Sequence, residues 1–255
     1  MAMNEPARIG STRISFAGGR WGTAPAKLHS ESMPSLTMSP GKLFNALVKL
    51  RHLRETDKAV RRATAYSGLG IDGAAVTRWD RDLPSRVNVG FDAYASNLLD
   101  KYGAAEFFLL VNNFQRVVPA LFNACCVELR KLLAVSDLRE RIEIARVRSP
   151  VTLGIVVSNC RRSPTGIHMD PNHAFLRPVL GGKRIRFWPK REIRKRDVGL
   201  QDIDSLKDGS MLIEGGEQTI IYWPSDWWHI ADEVKTQTRA CLVLCVQARN
   251  GVRHV

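Results

Sequence analysis

The sequence predicts a mainly β protein with added helices, and three observations carry that reading. From Ile142 onward, short runs of branched and aromatic residues alternate with Gly and Pro turns, as strands and their connections do. Between Ser39 and Val135, two segments repeat apolar residues at helical spacing. The 255 residues are also enough to bury one large β domain with a helical layer. The expected organisation is one unit over 1–255, with an arm and helical region over 1–140 and a β core over 141–255.

Each element follows from local chemistry. Met1 to Ser35 mixes Gly, Ser, Pro and Arg and predicts an arm with one or two short strands. Ser39-Pro40 predicts a helix start, with serine as the cap and proline in the first turn. Leu43, Leu47, Leu50 and Leu53 line that helix, which is expected to run on into Lys58–Arg62. Gly68 to Arg86 reads as loop-rich, with Trp79 and Pro84, and Asp92 opens a short helix through Leu98-Leu99. Phe107 to Val111 reads as a buried strand. Val117 to Val135 reads as a helix with Leu121, Cys125, Leu129 and Leu132 along one side. Val151 to Cys160 predicts a strand. Phe175 to Trp188 predicts a β-hairpin around Gly181-Gly182, a pair that tolerates positive φ. In that register Leu180 faces Lys183, Pro178 faces Ile185 and Leu176 faces Phe187, while Arg177, Arg184 and Arg186 share a solvated face.

Composition narrows the function classes. No apolar stretch approaches membrane-span length, and the N-terminus lacks an apolar signal core, so a cytoplasmic protein is expected. The five cysteines form no CxxC pair and read as reduced core residues. The net charge of +13 concentrates in Lys183 to Arg196. It predicts a basic rim for an acidic partner, such as a peptide or carrier domain. No nucleic-acid motif is present, which argues against nucleic acid as the partner.

The chemistry resides in His168-Met169-Asp170 and in His229, which closes Tyr222-Trp223-Pro224-Ser225-Asp226-Trp227-Trp228-His229. On a strand, residues two apart point to the same face. An HxD pair alone is common; the distal histidine in its Pro-x-x-Trp-Trp setting gives it meaning. Two imidazoles and one carboxylate can occupy one face of a metal ion and leave the opposite positions open, the facial triad of non-haem Fe(II) oxygenases. Lys183 lies on the same apolar face as the proposed ligands and needs an anion, because an unpaired buried charge is costly. A dicarboxylate would supply it. His173 is a rival ligand, better read as a substrate-side group. Trp227 is a candidate to frame the substrate. His29, His52 and His254 have no chemical company.

These motifs resemble the JmjC-type, cupin-fold branch of the 2-oxoglutarate-dependent oxygenases. Thr165-Gly166-Ile167-His168-Met169-Asp170, Gly182-Lys183-Arg184, Phe187-Trp188-Pro189 and Tyr222-x-Pro224-x-x-Trp227-Trp228-His229 are similar to the asparaginyl hydroxylases that act on hypoxia-inducible factor. The block covers about the C-terminal third to two-fifths of the chain. Upstream, Trp21–Ala26, Met38–Leu43 and Phe108–Asn113 resemble bacterial ribosomal oxygenases. The resemblance implies a double-stranded β-helix (a jelly roll) carrying an N-terminal helical region. It implies Fe(II) on His168, Asp170 and His229, with 2-oxoglutarate held through its far carboxylate by Lys183 and Thr165 and O2 as the oxidant. Arg239, ten residues past His229, matches the carboxylate-binding arginine of other members. Departures are Ala174, where the asparaginyl hydroxylases have a co-substrate-binding asparagine, and Gln218-Thr219, where the family often has Gly-Asp. The resemblance also raises a homodimer. Ribosomal oxygenases continue into a winged helix, whereas this chain stops about one strand after the distal histidine, a departure that puts their substrate and their dimer arrangement in question.

The expected activity is hydroxylation of an unactivated C–H bond of an amino-acid residue in a peptide or protein, including a peptide natural-product precursor. The rivals are oxidation of a free amino acid or small metabolite, demethylation, and a cupin-fold metal-binding or sensing protein without turnover. Asp170 keeps the third ligand that halogenases of the family vacate for chloride.

Overall fold

The computed structural model describes residues 8–9, 12–13, 24–29, 38–85, 90–134, 151–232 and 237–247. The arm supplies β1 (Arg8–Ile9) paired with β2 (Thr12–Arg13), then β3 (Ala26–His29). Helix α1 (Pro40–Thr56) begins where expected, with the Ser39 side chain accepting from Lys42 N. It does not run on. Asp57 leaves the helical region and caps a separate α2 (Lys58–Ala63), accepting from the backbone of Ala59 and Val60. The stretch read as loop-rich after residue 68 contains β4 (Gly68–Ile71) and β5 (Ala74–Ala75). Next come α3 (Gly90–Tyr102), β6 (Phe107–Val111) and α4 (Pro119–Ala134). Cys125 and Leu129 on α4 are buried and Leu121 packs on the core; the Leu132 side chain lies outside the described residues. No described helix is long and apolar enough to cross a membrane.

The C-terminal strands are β7 (Val151–Ser158), β8 (Asn172–Leu180), β9 (Lys183–Pro189), β10 (Met211–Gly215), β11 (Thr219–Trp223), β12 (Trp227–Ala231) and β13 (Arg239–Gln247). They form two antiparallel layers. One has the order β11-β8-β13-β7 and is extended by β3 at one edge and by β6, β4 and β5 at the other. The second has the order β10-β9-β12, with His168 bridged to His229 at its edge. Strands that alternate between two layers in this order make a jelly roll, the double-stranded β-helix expected from the sequence. The helical region therefore contributes strands to the larger sheet as well as helices.

The expected hairpin is not formed. Strand β8 pairs with β11 and β13, whereas β9 pairs with β10 and β12. Gly181-Gly182 is a corner between the layers. Gly181 has φ +68, and a Cβ there would sit 3.0 Å from Arg239 Cγ. At Gly182 a Cβ would meet Gly215 O at 3.4 Å. The corner leaves the inside-outside alternation intact, because alternation depends on strand parity and not on the partner. Leu176, Ile185 and Phe187 still meet, now across the two layers, with Ala174, Ile213, Ile221, Trp223 and Cys241.

Three apolar clusters hold these layers. The largest joins the helices to the outer face of the larger sheet, through Leu43, Leu47, Phe107, Leu129, Phe175 and Tyr222 among others. That cover explains why Arg177, expected in solvent, is buried and donates to Glu217 O at 2.9 Å. The second cluster fills the sandwich interior. The third lies outside the smaller sheet, where Ile193 and Ile203 of the long β9–β10 connection cover Ile167, Trp188 and Ile230. Arg186, also expected in solvent, donates to Asp232 Oδ2 at 2.8 and 3.0 Å and to Ser210 Oγ at 2.7 Å.

Candidate metal centre

His168 and His229 are brought together by backbone pairing. His168 N donates to His229 O at 3.1 Å, and His229 N donates to His168 O at 2.9 Å. Residues that exchange both bonds across an antiparallel pair project their side chains to the same face. The two ring centroids are accordingly 4.3 Å apart. Asp170, two residues along, reaches the same place: its Oδ2 lies 3.4 Å from His229 Nε2 and its Oδ1 3.9 Å from His168 Nε2. One ligand atom from each residue lies within 4.8 Å of the others, and among the described residues no other His, Cys, Asp or Glu group does this.

The orientation of each donor is fixed from behind. His168 Nδ1 stands 2.9 Å from Gly166 O, and His229 Nδ1 stands 3.3 Å from Trp227 O. Each carbonyl favours a proton on Nδ1 and so leaves Nε2 as the free lone pair. Trp223 Nε1 donates to Asp170 Oδ2 at 3.2 Å. Burial pushes the His168 pKa down, and His229 pushes the same way, against Gly166 O and Asp170. A lowered value keeps the imidazole neutral, the form that binds metal. Burial raises Asp170, but the hydrogen bond and charge of His229, the charge of His168 and the Trp223 N–H outweigh it, and the net shift is downward. Two imidazole nitrogens and a carboxylate suit a divalent first-row metal. His229 is buried, with its side chain 6% exposed, whereas those of His168 and Asp170 are 35% and 30% exposed. The cluster thus has a closed back and an open front.

A second polar group lies inside the sandwich. Lys183 and Arg239 share strand parity with the interior residues of β9 and β13, and are only 7% and 2% exposed. Burial pushes the Lys183 pKa down; Cys241 and Cys160 oppose this and Arg239 adds to it. Among the described residues no ion pair engages Lys183. Arg239 is lowered by burial too, against Cys241, Cys160 and Glu106, and donates through Nη2 to Cys160 O. The two cations make a basic recess, and Asp232 lines the same cleft as Lys183.

Other expected site residues fall differently. Thr165 precedes a turn at Gly166, which has φ +64. The Thr165 hydroxyl is 2.7 Å from Ser163 Oγ and 3.4 Å from His168 Nδ1. Ser163 lines a cleft together with Lys183, Ser158, Cys160 and Asp232. His173 is on the other side of the larger sheet from the metal cluster. Its neighbour Ala174 faces the interior, while His173 hydrogen-bonds Tyr222 at 2.9 Å, on the side facing the helices, which corrects the substrate-side expectation. Trp227 shares the face of β12 that carries His229 and packs, half-buried, on the interior cluster. Trp228 points the other way and donates to Lys190 O at 2.9 Å. The sequence reading assigned no role to Trp223, although one strand-neighbour step from Tyr222 places it inside.

No protein-family model and no curated protein matches this chain. Among solved structures, the chain is similar to ycfD of Escherichia coli with a TM-score of 0.45 and 15% identity, covering 90% of this chain and 51% of that one. A structure of YcfD described as a ribosomal oxygenase aligns at TM-score 0.37 and 18% identity, over 56% of this chain and 32% of that one. An oxalate decarboxylase of Bacillus subtilis aligns at TM-score 0.28 and 12% identity, over 40% and 22% of the two chains. The jelly-roll assignment stands on the strand order and register above.

Proposed function

We propose that this protein is an Fe(II)- and 2-oxoglutarate-dependent oxygenase that hydroxylates an amino-acid residue within a peptide or protein. The observation that carries the reading is the convergence of His168, Asp170 and His229 in one open-fronted cluster, inside a fold that also buries Lys183 and Arg239. His168 Nε2, His229 Nε2 and the Asp170 carboxylate hold the metal, and the carbonyls of Gly166 and Trp227 hold the imidazoles in register. Lys183 receives the far carboxylate of 2-oxoglutarate through a charge-assisted hydrogen bond, and Arg239 adds positive potential from the next layer. Bound iron with 2-oxoglutarate and O2 supplies C–H oxidation, with succinate and CO2 as co-products. Phe187, Trp223 and Trp227 exclude water from the back and flank of the cluster, and its exposed front admits a chain segment. The protein's task is positioning and exclusion of side reactions.

The test is anaerobic loading with Fe(II) and 2-oxoglutarate, followed by O2 and a panel of peptides. The expected result is succinate above the peptide-free background together with a peptide heavier by one oxygen atom. Succinate driven only by a free amino acid would move the substrate to a small molecule. Metal binding with no succinate under any condition would leave a cupin-like binding protein in its place.

A further inference from the structure

The connection between β9 and β10 carries five exposed cations: Lys190, Arg191, Arg194, Lys195 and Arg196. Arg191 and Arg196 each have a neighbouring carboxylate at 3.7 Å, Glu192 and Asp197. Among the described residues, no ion pair engages Lys190, Arg194 or Lys195. The connection is nonetheless anchored. Ile193 and Ile203 are buried against Trp188 and Ile230, and the indoles of Trp188 and Trp228 donate to Leu206 O and Lys190 O at 2.7 and 2.9 Å. Beyond the cations, the backbone pairs with the segment that carries His168. Gly199 N donates to Ile167 O at 2.8 Å, and Ile167 N donates to Leu200 O at 3.0 Å. The two segments cross so closely that a Cβ on Gly166 would lie 2.1 Å from Gly199 O. Arg194 is five residues before Gly199, a span of at most about 17 Å. Exposed cations, three of them without an ion pair among the described residues, therefore sit on a connection tied by backbone to the segment that carries His168.

We propose that this connection is the docking surface for the substrate, and that the substrate is a peptide segment bearing acidic residues next to an apolar one. The proposal rests on the oxygenase reading for the word substrate, and on charge complementarity for the partner's chemistry. Val198 and Leu200 are 44% and 41% exposed and follow directly on the cations, so an apolar side chain of the partner has a place to pack. Nucleic acid fits less well. Single strands are held by aromatic platforms between cations. The segment from Lys190 to Leu200 holds no aromatic residue, and Glu192 and Asp197 interrupt its charge.

The test uses fluorescence anisotropy with two labelled peptides of equal length, one with a Glu/Asp run beside a leucine and one with the matching Gln/Asn run. Labelled oligothymidylate is the third probe. The wild-type protein is expected to bind the acidic peptide about tenfold more tightly than the neutral one, with an affinity that falls as salt rises. R194E/K195E is expected to lose that preference, whereas R62E on α2 retains it. Equal binding of the two peptides, an unchanged preference in R194E/K195E, or tighter binding of oligothymidylate overturns the proposal. Fe(II) binding is measured on the same preparations. Intact Fe(II) binding without acidic-peptide preference rejects the docking surface alone. Acidic-peptide preference without Fe(II) binding rejects the oxygenase reading alone.

Discussion

The two polar groups inside the sandwich are built on opposite principles. At the metal cluster every donor has a counterpart in the protein: each imidazole backs onto a carbonyl, and the carboxylate takes an indole N–H. At the cationic recess, Lys183 is buried, no ion pair engages it among the described residues, and Arg239 adds to the lowering of its pKa. The first group is preorganised and the second is unfinished. The difference teaches which parts of a site a protein completes by itself and which it leaves for a ligand. Hydrogen bonds from behind orient a metal ligand at little cost. A buried unpaired cation costs stability until an anion arrives.

The largest expected effect breaks the preorganised side. Asp170→Ala removes the only carboxylate of the cluster, and calorimetric titration is expected to show no saturable Fe(II) site in it. Lys183→Ala breaks the unfinished side. It is expected to weaken 2-oxoglutarate binding by about 10- to 100-fold, the worth of one charge-assisted hydrogen bond, while Fe(II) binding persists. Unchanged co-substrate affinity in that variant would transfer the role to Arg239. Trp223→Phe keeps the packing but removes the N–H from Asp170, and a loss of about tenfold in metal affinity is expected.

The smallest effect concerns pH and sharpens the comparison. Burial holds the Lys183 pKa below the ordinary lysine value. Between its folded and unfolded values the unfolded chain binds more protons, so Lys183 makes stability rise with pH through that window. Lys183→Met removes the titration. Without 2-oxoglutarate, the variant is expected to melt higher than the wild type at neutral pH. That advantage should shrink as the pH approaches the ordinary lysine range. A constant difference in melting temperature across pH would mean that Lys183 is not the strained group.

Much of this was legible in the sequence, and the failures have physical causes. The HxD pair and the distal histidine were readable because their types and setting are distinctive, and the fold class followed from the strand-rich C-terminal part. The Gly181-Gly182 corner was misread because two β runs about a glycine pair look the same whether the strands pair or separate. Only distant neighbours, Arg239 and Gly215, decide between them. Strand β4 was missed because Gly68 and Gly70 weaken its local signal, and its pairing comes from β6. His173 was assigned by proximity in sequence, but Ala174, not His173, has the inward parity on β8.

The central claim is that one cation binds where residues 168, 170 and 229 meet. Anaerobic calorimetric titration of the metal-free protein with Fe(II), in parallel with Asp170→Ala, tests it most directly. One saturable site in the wild type, absent from the variant, is the predicted result. No site in the wild type, or the same affinity in both proteins, would contradict it.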